Sequence, residues 1–338
     1  MKICIIGGGG AIGGYLAVML AKAGNDVTVV ARGETLKAIQ NKGLQLILEG
    51  QSEPLVAHVK AVDRISAVHE TPEVVMLAVK AHQVEPIVDD LAGLMGPETV
   101  LIPMQNGIPW WYFQKLHGQH RDHVVETVDP GGSIMKKINP ANILGCVVYP
   151  ATISQSPGVI EHVEGNRFPI GELDGSISER AQRISQMMTE AGFKSPILDD
   201  IRAEIWLKLW GNMTFNPISA LTHEHLEGIC RFPLTKDLAR NMMTEAQTIA
   251  EKLGVIFRVD IDRRIAGAEK VGKHKTSMLQ DLEAGNNLEI DALLGSVIEL
   301  GQITDTPTPC LSTVFALTKL LNTRVQSSHG RLALPMAA

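Results

Sequence analysis

The stretch Gly7-Gly8-Gly9-Gly10-Ala11-Ile12-Gly13-Gly14 decides the fold of this chain. It follows Lys2–Ile6, a short apolar run typical of a buried strand, and it opens a helical pattern over residues 13–23. The spacing Gly8-x-Gly10-x-x-Gly13 permits a tight turn, a close approach of backbone to a pyrophosphate, and close packing of helix on strand. Amides at the helix start favour a bound anion. We therefore predict a dinucleotide-binding loop rather than a merely flexible one. The loop comprises Gly8, Gly9, Gly10, Ala11, Ile12 and Gly13.

The end of the second strand indicates which dinucleotide is bound. The strand pattern over residues 26–31 is followed by Arg32, whereas an NAD site usually carries Asp or Glu there for the ribose hydroxyls. A guanidinium is always charged and matches the 2′-phosphate of NADP with two parallel hydrogen bonds. We expect Arg32 to select NADP(H). The alternative is a solvated arginine at a strand end.

The order of the patterns divides the chain into two parts. Strand-like runs alternate with helical ones up to about residue 199, which implies parallel βαβ units, and helical patterns then follow almost alone. We predict an α/β fold with a Rossmann-type domain over 1–198, an all-helical domain over 199–325 and a loose tail over 326–338. Further strands are predicted at 74–79, 99–103 and 145–150, with 159–164 and 167–171 as an antiparallel pair. Helices of the second part are predicted at 201–221, 238–253, 277–284, 290–300 and 309–321.

Composition narrows the class of protein. Of 338 residues, 45% are hydrophobic and 20% are charged, so the chain can bury a core and is not disordered. The formal net charge of −6 does not suggest a nucleic-acid partner. No apolar run is long enough for a membrane span, and the N-terminal one is too short for a secretory signal. Four scattered cysteines form no disulfide or zinc pattern, and the histidines, His82 included, are assigned to surface or structural roles. We predict no metal site and a reducing, cytoplasmic compartment.

Two polar clusters follow predicted strands at their carboxyl ends, where ligands bind in doubly wound sheets. Lys80 comes after the strand at 74–79, and Asn106 comes after the strand at 99–103. Lys80 could hold a phosphate or a substrate carboxylate, and Asn106 could hold the ribose or the nicotinamide of the cofactor. Ordinary turn chemistry is the alternative for both, since Asn-Gly is a common turn pair.

A polar stripe lies on an otherwise apolar helix. Lys208, Asn212 and Asn216 recur every four residues among Trp, Leu, Met and Phe, so they share one face. Buried polar groups need partners, and we expect this face to line a wet pocket, with the helix kinked at Pro217. Desolvation lowers a lysine pKa from about 10.4 toward neutral pH, where the ammonium can protonate a nascent alkoxide. The alternative is an ion pair of Lys208 with Glu204.

Ser277 and Glu289 form a second polar cluster. Ser277 has the features of a helix N-cap, with Gln280 three residues further on, as in a capping box. A hydroxyl beside free helix amides also suits a bound carboxylate. Glu289 begins the next helical pattern and could accept a hydrogen bond from a substrate hydroxyl or hold an ammonium.

These segments together resemble the ketopantoate reductase (2-dehydropantoate 2-reductase) family from Met1 to about Leu321. The resemblance is carried by GGGGAIGGYLA, VKAHQ, QNGIP, KLWGNMTFNPISALT, HKTSMLQD and NNLEID. It implies an NADPH-binding Rossmann domain and a helical domain like that of 6-phosphogluconate dehydrogenase. It implies Lys208 as proton donor to the ketone oxygen and Glu289 as a second catalytic residue at the cofactor–substrate junction. The other implied contacts are Asn212, Asn216 and Ser277 for the substrate, and Lys80, Asn106 and Ala151 for the cofactor.

The implied reaction is the NADPH-dependent reduction of a small branched 2-oxo acid, 2-dehydropantoate, to (R)-pantoate for coenzyme A synthesis. Two departures leave the substrate open: an extra glycine in the first loop, and residues 221–227, where the family often has a further substrate-binding asparagine. The alternatives are a reductase of the same fold acting on another 2-oxo acid or an imine, and an NADP(H) sensor without turnover. A homodimer is compatible with the sequence, which does not fix the assembly, and residues 110–113 could belong to the core or to a lid.

Overall fold

The computed structural model describes residues 1–51, 53–328, 330 and 332. The chain divides into two units, each continuous in space but not in sequence. The first comprises Met1–Gln105, Phe113–Val124 and Gly131–Ile201, and the second comprises Asn106–Tyr112, Val125–Pro130 and Arg202–Ala338. The range that we assigned to the first domain, 1–198, therefore includes two short segments that the structure groups with the helical part.

The strands of the described residues all come from the first unit. They are β1 (Lys2–Ile6), β2 (Asp26–Val30), β3 (Leu44–Ile47), β4 (Leu55–Ala57), β5 (Lys60–Val62), β6 (Val74–Leu77), β7 (Val100–Pro103), β8 (Leu144–Cys146), β9 (Ala151–Ser156), β10 (Val159–Glu164) and β11 (Ile170–Glu172).

Five of these strands form a parallel sheet in the order β5-β2-β1-β6-β7. The chain leaves β1 toward one edge through β2 and β5, and then returns to the other side of β1 through β6 and β7. The carboxyl ends of β1 and β6 therefore lie where the strand order reverses, which is the place where doubly wound sheets bind ligands. The predicted α/β class with a Rossmann-type sheet is confirmed.

Two predicted strand partnerships differ from the structure. The run at 145–150 was expected to continue the parallel series. Ile143, directly before β8, does form a parallel bridge with Leu101 of β7, but β8 itself pairs antiparallel with β11. The strands near 159–164 and 167–171 were expected to pair with each other, but β10 pairs antiparallel with β9 and parallel with β3, in the sheet β4-β3-β10-β9. The turn Pro157-Gly158 explains the second difference, because Gly158 with φ +77° closes the hairpin from β9 into β10. An apolar strand can pair in a parallel or an antiparallel ladder, so its composition does not predict which strand it pairs with.

The helices follow the predicted division of the chain. They are α1 (Ala11–Lys22), α2 (Gly33–Lys42), α3 (Val88–Leu94), α4 (Glu179–Glu190), α5 (Ile201–Thr222), α6 (Leu226–Arg231), α7 (Pro233–Lys252), α8 (Ile261–Lys270), α9 (Ser277–Ala284), α10 (Ser296–Ile303) and α11 (Pro309–Ser327). A π-helical turn, Asp291–Gly295, directly precedes α10. α5 continues through Pro217, and α11 extends to Ser327, past the predicted start of the tail at 326. Most of the predicted tail lies outside the described residues.

Two helices of the second unit, α6 and α8, were not predicted. α6 is only six residues long. α8 is mostly polar and buries only Ile265 and Ala268, so its apolar residues, although at helical spacing, are too few to stand out in the sequence. Its start does carry a local signal, since the side chain of Asp260 accepts a hydrogen bond from the amide of Arg263 at 2.7 Å.

α1 is buried on nearly every side because it packs against both larger sheets. Tyr15, Leu16 and Leu20 are among its fully buried residues. Gly14, in the first turn of α1, allows a close approach, because a Cβ added there would lie 2.7 Å from Cγ1 of Ile160 on β10. Gly14 therefore allows the second sheet to approach the helix that begins at the glycine-rich loop.

The second unit is built around α5, whose Trp206, Leu209 and Met213 are fully buried. Residues 110–113, left open between core and lid, are all buried, so they are core. Tyr112 anchors the start of α5, because its hydroxyl accepts from Nε1 of Trp206 at 2.8 Å and its carbonyl accepts from Nε of Arg202 at 2.7 Å. Among the described residues, no helix combines the length and apolar character needed to cross a bilayer.

A buried ion pair joins β11 to α4 and makes stability depend on pH. The Glu172 side chain is only 4% exposed, and its carboxylate accepts from Nε of Arg180 at 2.7 Å, from Nη2 at 2.5 Å and from the Ser178 hydroxyl at 2.5 Å. Burial alone would raise the pKa of Glu172, but the hydrogen bonds from Arg180 and Ser178 and the Arg180 charge lower it below its ordinary value. The stabilisation is therefore present above the unfolded glutamate pKa of about 4.3 and is lost as the pH falls through the lower folded pKa.

We expect Glu172→Gln to lower the melting temperature at pH 7 by roughly 5–10 °C, since breaking a buried pair costs about 3 kcal/mol. The difference between wild type and variant should shrink as the pH falls below about 4. Calorimetric melts at pH 7, 5, 4 and 3.5 measure it. Glu179→Gln, at an exposed position one residue before Arg180, is the control and should give parallel curves. A wild type–variant gap that stays constant with pH would contradict the role of the charge.

Candidate active site

The glycine-rich loop between β1 and α1 has no room for side chains. A Cβ added to Gly8 would lie 2.6 Å from the Cβ of Val29 on β2. A Cβ added to Gly13 would lie 2.3 Å from the carbonyl oxygen of Gly7. The backbone of the loop is therefore held directly against the sheet, and a dinucleotide can approach it as closely as the motif requires.

The start of α1 completes an anion site. Gly10 is the N-cap in extended conformation and makes no side-chain cap, so the first amides of the helix, those of Ala11 and Ile12 among them, have no intrahelical partner. Such amides, together with the positive end of the helix dipole, suit a pyrophosphate.

A cleft of about 590 Å³ opens beside this loop at the carboxyl ends of β1 and β2. Its size is that of a cofactor pocket. Its lining includes Gly7, Gly9, Gly10, Arg32, Thr35, Ile65, Val79, His82 and Gln83.

Arg32 lies on the rim of the cleft as the sequence predicted. It follows β2, is exposed, and is the N-cap residue of α2. Two positive features therefore coincide there, the guanidinium and the amino end of α2. No acidic side chain is among the residues that line this cleft in the described part of the chain. The arrangement fits the additional phosphate of NADP.

The cleft also contains residues that sequence reasoning did not assign to it. Thr35 lies on the first turn of α2, and Ile65 begins a short 3-10 turn, Ile65–Ala67, in a segment that carried no motif. His82, which we had assigned to a surface or structural role, lines the cleft together with Gln83. Both residues belong to the VKAHQ segment after β6, whose position at the carboxyl end of a strand already indicated a ligand site. The sequence analysis assigned only Lys80 of that segment to the cofactor.

Lys80 and Ala151 are not among the residues that line the cleft. Lys80 caps a short 3-10 turn, Ala81–Gln83, and its amide donates to Oε1 of Gln83 at 3.0 Å. Ala151 begins β9 of the second sheet. Their roles as cofactor ligands remain predictions.

The polar stripe of α5 is brought together with two distant residues. The ammonium of Lys208 donates to Oδ1 of Asn106 at 2.5 Å. Asn216, 6% exposed, donates through Nδ2 to the hydroxyl of Ser277 at 3.4 Å. Asn212 lies between them, half-buried, and no hydrogen bond of its side chain is found within the described residues. The stripe thus presents a cation, two amides and a hydroxyl, which is a set suited to a small oxygen-rich substrate.

The N-cap of α9 is Thr276 and not Ser277, which corrects our prediction. The hydroxyl of Thr276 accepts from the amide of Leu279 at 3.3 Å, so Ser277 becomes the first helical residue. Gln280 donates instead to the carbonyl of Lys275 at 3.2 Å. As the first helical residue, Ser277 has an exposed side chain that can contact a ligand as well as Asn216.

Glu289 is half-buried and lies two residues before the π-helical turn Asp291–Gly295. Its predicted catalytic role stays a prediction.

Thiol chemistry has no support at the first strand, because burial raises the pKa of Cys4 on β1 to about 12 and keeps the thiol protonated. All four cysteines are free.

Comparison with known proteins gives a consistent result over nearly the whole chain. Residues 3–175 match the family model described as ketopantoate reductase PanE/ApbA, and residues 200–322 match its C-terminal counterpart. A 2-dehydropantoate 2-reductase from Mesorhizobium japonicum is 51% identical over 324 residues, which cover 95% of this chain and 98% of that protein.

Solved structures show the same fold. A Ralstonia solanacearum MolK2 protein assigned as a ketopantoate reductase superposes with a TM-score of 0.90 at 38% identity, covering 96% of this chain and 98% of that one. A D-mandelate dehydrogenase complex with NADH and anilino(oxo)acetate gives 0.82 at 21% identity, covering 96% and 99%, a level at which only the fold is shared. By its two matched segments and its 51% identical relative, this chain belongs to the ketopantoate reductase family.

Proposed function

We propose that the protein catalyses the NADPH-dependent reduction of 2-dehydropantoate to (R)-pantoate. The observation that carries the proposal is the stripe of α5, where Asn106 holds the Lys208 ammonium at one end and Asn216 contacts Ser277 at the other. The 51% identical relative bears the name of that activity. The glycine-rich loop and Arg32 fit the cofactor for the steric and electrostatic reasons given above.

The residues of the chain divide the work of this reaction. NADPH, when bound, supplies the hydride. Loop amides bind its pyrophosphate, and Arg32 binds its 2′-phosphate. Lys208 donates a proton from Nζ to the ketone oxygen, and its charge stabilises that oxygen as negative charge develops on it.

The remaining groups of the stripe orient the substrate. Ser277, with the adjacent amides at the start of α9, suits the carboxylate of a 2-oxo acid. Asn212 and Asn216 offer both donors and acceptors to its other oxygens. Glu289 accepts a hydrogen bond from the substrate hydroxyl.

We place the enzyme in the cytoplasm, which the four free thiols support. We propose a homodimer as its assembly. The exposed leucines of α11, Leu317 at 52% and Leu320 at 69%, support an apolar contact between copies.

The fold does not choose among 2-oxo acids, since a D-mandelate dehydrogenase shares it. Residues 221–227 also lack the further asparagine that the family often carries there. The proposal is therefore tested with a panel comprising 2-dehydropantoate, 2-oxoisovalerate, pyruvate and phenylglyoxylate, each with NADPH and with NADH.

We expect kcat/KM for 2-dehydropantoate with NADPH to exceed that of every other pair by about 100-fold, the discrimination available to a site that hydrogen-bonds a substrate hydroxyl. Loss of the nicotinamide absorbance measures the rate. A preference for another acid would identify a different reductase of this fold. Tight binding of NADPH without oxidation by any acid would indicate the sensor instead.

A further inference from the structure

The turn that carries Asn106 rests on the π-helical turn Asp291–Gly295 within the second unit. The amide of Ile108 donates to the carbonyl of Ala292 at 3.0 Å. The hydroxyl of Ser296, buried, donates to the same carbonyl at 2.8 Å. π-turns are rare and concentrate at functional sites because they interrupt the regular ladder of a helix. Here the turn presents one carbonyl to two donors.

At Gly107 the backbone of the turn that carries Asn106 comes closest to the π-helical turn. Its φ is +90°, and a Cβ built on it would lie 2.0 Å from the carbonyl oxygen of Ala292 and 2.5 Å from the carbonyl carbon. Backbone atoms cannot yield in the way that the end of a flexible side chain can. Glycine is therefore required at residue 107 both by conformation and by space.

The second unit takes two segments from the N-terminal half, Asn106–Tyr112 and Val125–Pro130. α10, which follows the π-helical turn, anchors the second of them. The carboxylate of Glu299 on α10 accepts from the amides of Glu126 and Thr127, each at 2.8 Å. Thr127 also packs against Gly295, where an added Cβ would lie 2.9 Å from its methyl group. The two segments that the second unit draws from the N-terminal half are thus both attached to residues 292–299.

A fixed acceptor matters for a lysine. The ammonium sits on a flexible four-carbon stem, and its direction is set by the groups that accept its hydrogen bonds. Asn106 is such an acceptor for Lys208, at 2.5 Å, and it is adjacent in sequence to Gly107. Whatever fixes Gly107 therefore fixes the amide that orients the ammonium.

We infer that the contact of Gly107 with the Ala292 carbonyl, shared by Ser296, positions Asn106 so that it aims the Lys208 ammonium. Gly107 and Ser296 are positioning residues, and they act through Asn106. The inference rests on the proposed function insofar as Lys208 is the proton donor.

The first test compares Gly107→Ala with Gly118→Ala. Both glycines have positive φ, +90° and +104°, but nothing lies within 4 Å of a Cβ at Gly118. Gly118→Ala therefore carries the backbone strain without the clash. We expect Gly107→Ala to lower kcat by about 100-fold, the loss typical of a displacement of about 1 Å at a reacting group. Both kcat and NADPH affinity should be nearly unchanged in Gly118→Ala.

The second test is a double-mutant cycle with Asn106→Ala. If Gly107 acts through Asn106, adding Gly107→Ala to Asn106→Ala should change kcat little, because the interaction is already lost. Losses that multiply would show a merely structural role and overturn the inference. Ser296→Ala, which removes one of two donors and leaves the glycine in place, repeats the cycle should Gly107→Ala fail to fold. It should lower kcat by roughly 3–10-fold alone, the value of one hydrogen bond, and add nothing to Asn106→Ala.

A third readout does not depend on activity and separates this inference from the proposed function. Lysines are dimethylated with ¹³C-formaldehyde, and the Lys208 resonance is assigned from Lys208→Arg. We expect Asn106→Ala and Gly107→Ala to move that resonance to the same position, and Gly118→Ala to leave it in place. An inactive wild type with this pattern would overturn the function alone. A resonance that Asn106→Ala moves and Gly107→Ala does not would overturn the positioning role.

Discussion

Lys208→Ala is expected to lower kcat by about 10³-fold, within the range found when a general acid is removed. The reason is that the ammonium contributes only while charge develops on the ketone oxygen, so its loss raises the barrier without weakening the bound nucleotide. The dissociation constant of NADPH, measured by quenching of its fluorescence, should therefore change little. Steady-state oxidation of NADPH with saturating 2-dehydropantoate measures kcat.

Lys208→Arg separates charge from proton donation. Its guanidinium keeps a positive charge near Asn106 but does not release a proton at neutral pH. We expect it to bind the substrate better than Lys208→Ala and to be nearly as slow. Lys37→Ala, on the exposed face of α2 in a pair with Glu34, is the matched control and should retain wild-type turnover. Equal losses of turnover and NADPH affinity in Lys208→Ala would remove the acid role.

The site on α5 could be predicted from sequence because its signal is local. Lys208, Asn212 and Asn216 recur at four-residue steps, and helix geometry alone places them on one face. The contact of Lys208 with Asn106 could not be predicted, since 102 residues separate the two. Sequence reasoning assigned Asn106 to the cofactor because it follows a strand. The structure adds a tertiary fact: the turn after that strand is fixed to a π-turn, which no periodicity reveals.

The same distinction explains the errors in the sheets. The first βαβ unit was predictable because a glycine motif, a strand and a helix are contiguous. β8 was placed in the parallel series on apolar character, yet an apolar run pairs equally well in either direction. Its partner β11 is chosen by what surrounds it, including the ion pair of Glu172 with Arg180. The assignment of Ser277 as N-cap was wrong by one residue, because Thr276 has an equivalent hydroxyl.

Arg32→Ala is expected to reduce the preference for NADPH over NADH by about 100-fold, which is the value of a charge-assisted, two-bond contact with a phosphate. The loss should fall on the KM for NADPH, because the 2′-phosphate is remote from the reacting carbon and is bound equally before and during reaction. NADH has no 2′-phosphate, so its kcat/KM should stay nearly constant. Ratios of kcat/KM for the two cofactors measure the effect.

Arg32→Glu extends the argument by reversing the charge. A carboxylate at this position, after β2 and at the amino end of α2, repels the 2′-phosphate and can accept hydrogen bonds from the ribose hydroxyls of NADH. We expect the preference to pass to NADH. Raising the salt concentration should weaken NADPH binding to wild type more than to either variant, because the exposed pair is screened. Arg183→Ala, at an exposed arginine of α4, is the control and should keep the wild-type ratio. A wild type that already prefers NADH, or an Arg32→Ala variant that keeps the NADPH preference, would assign the selection to other residues of the cleft.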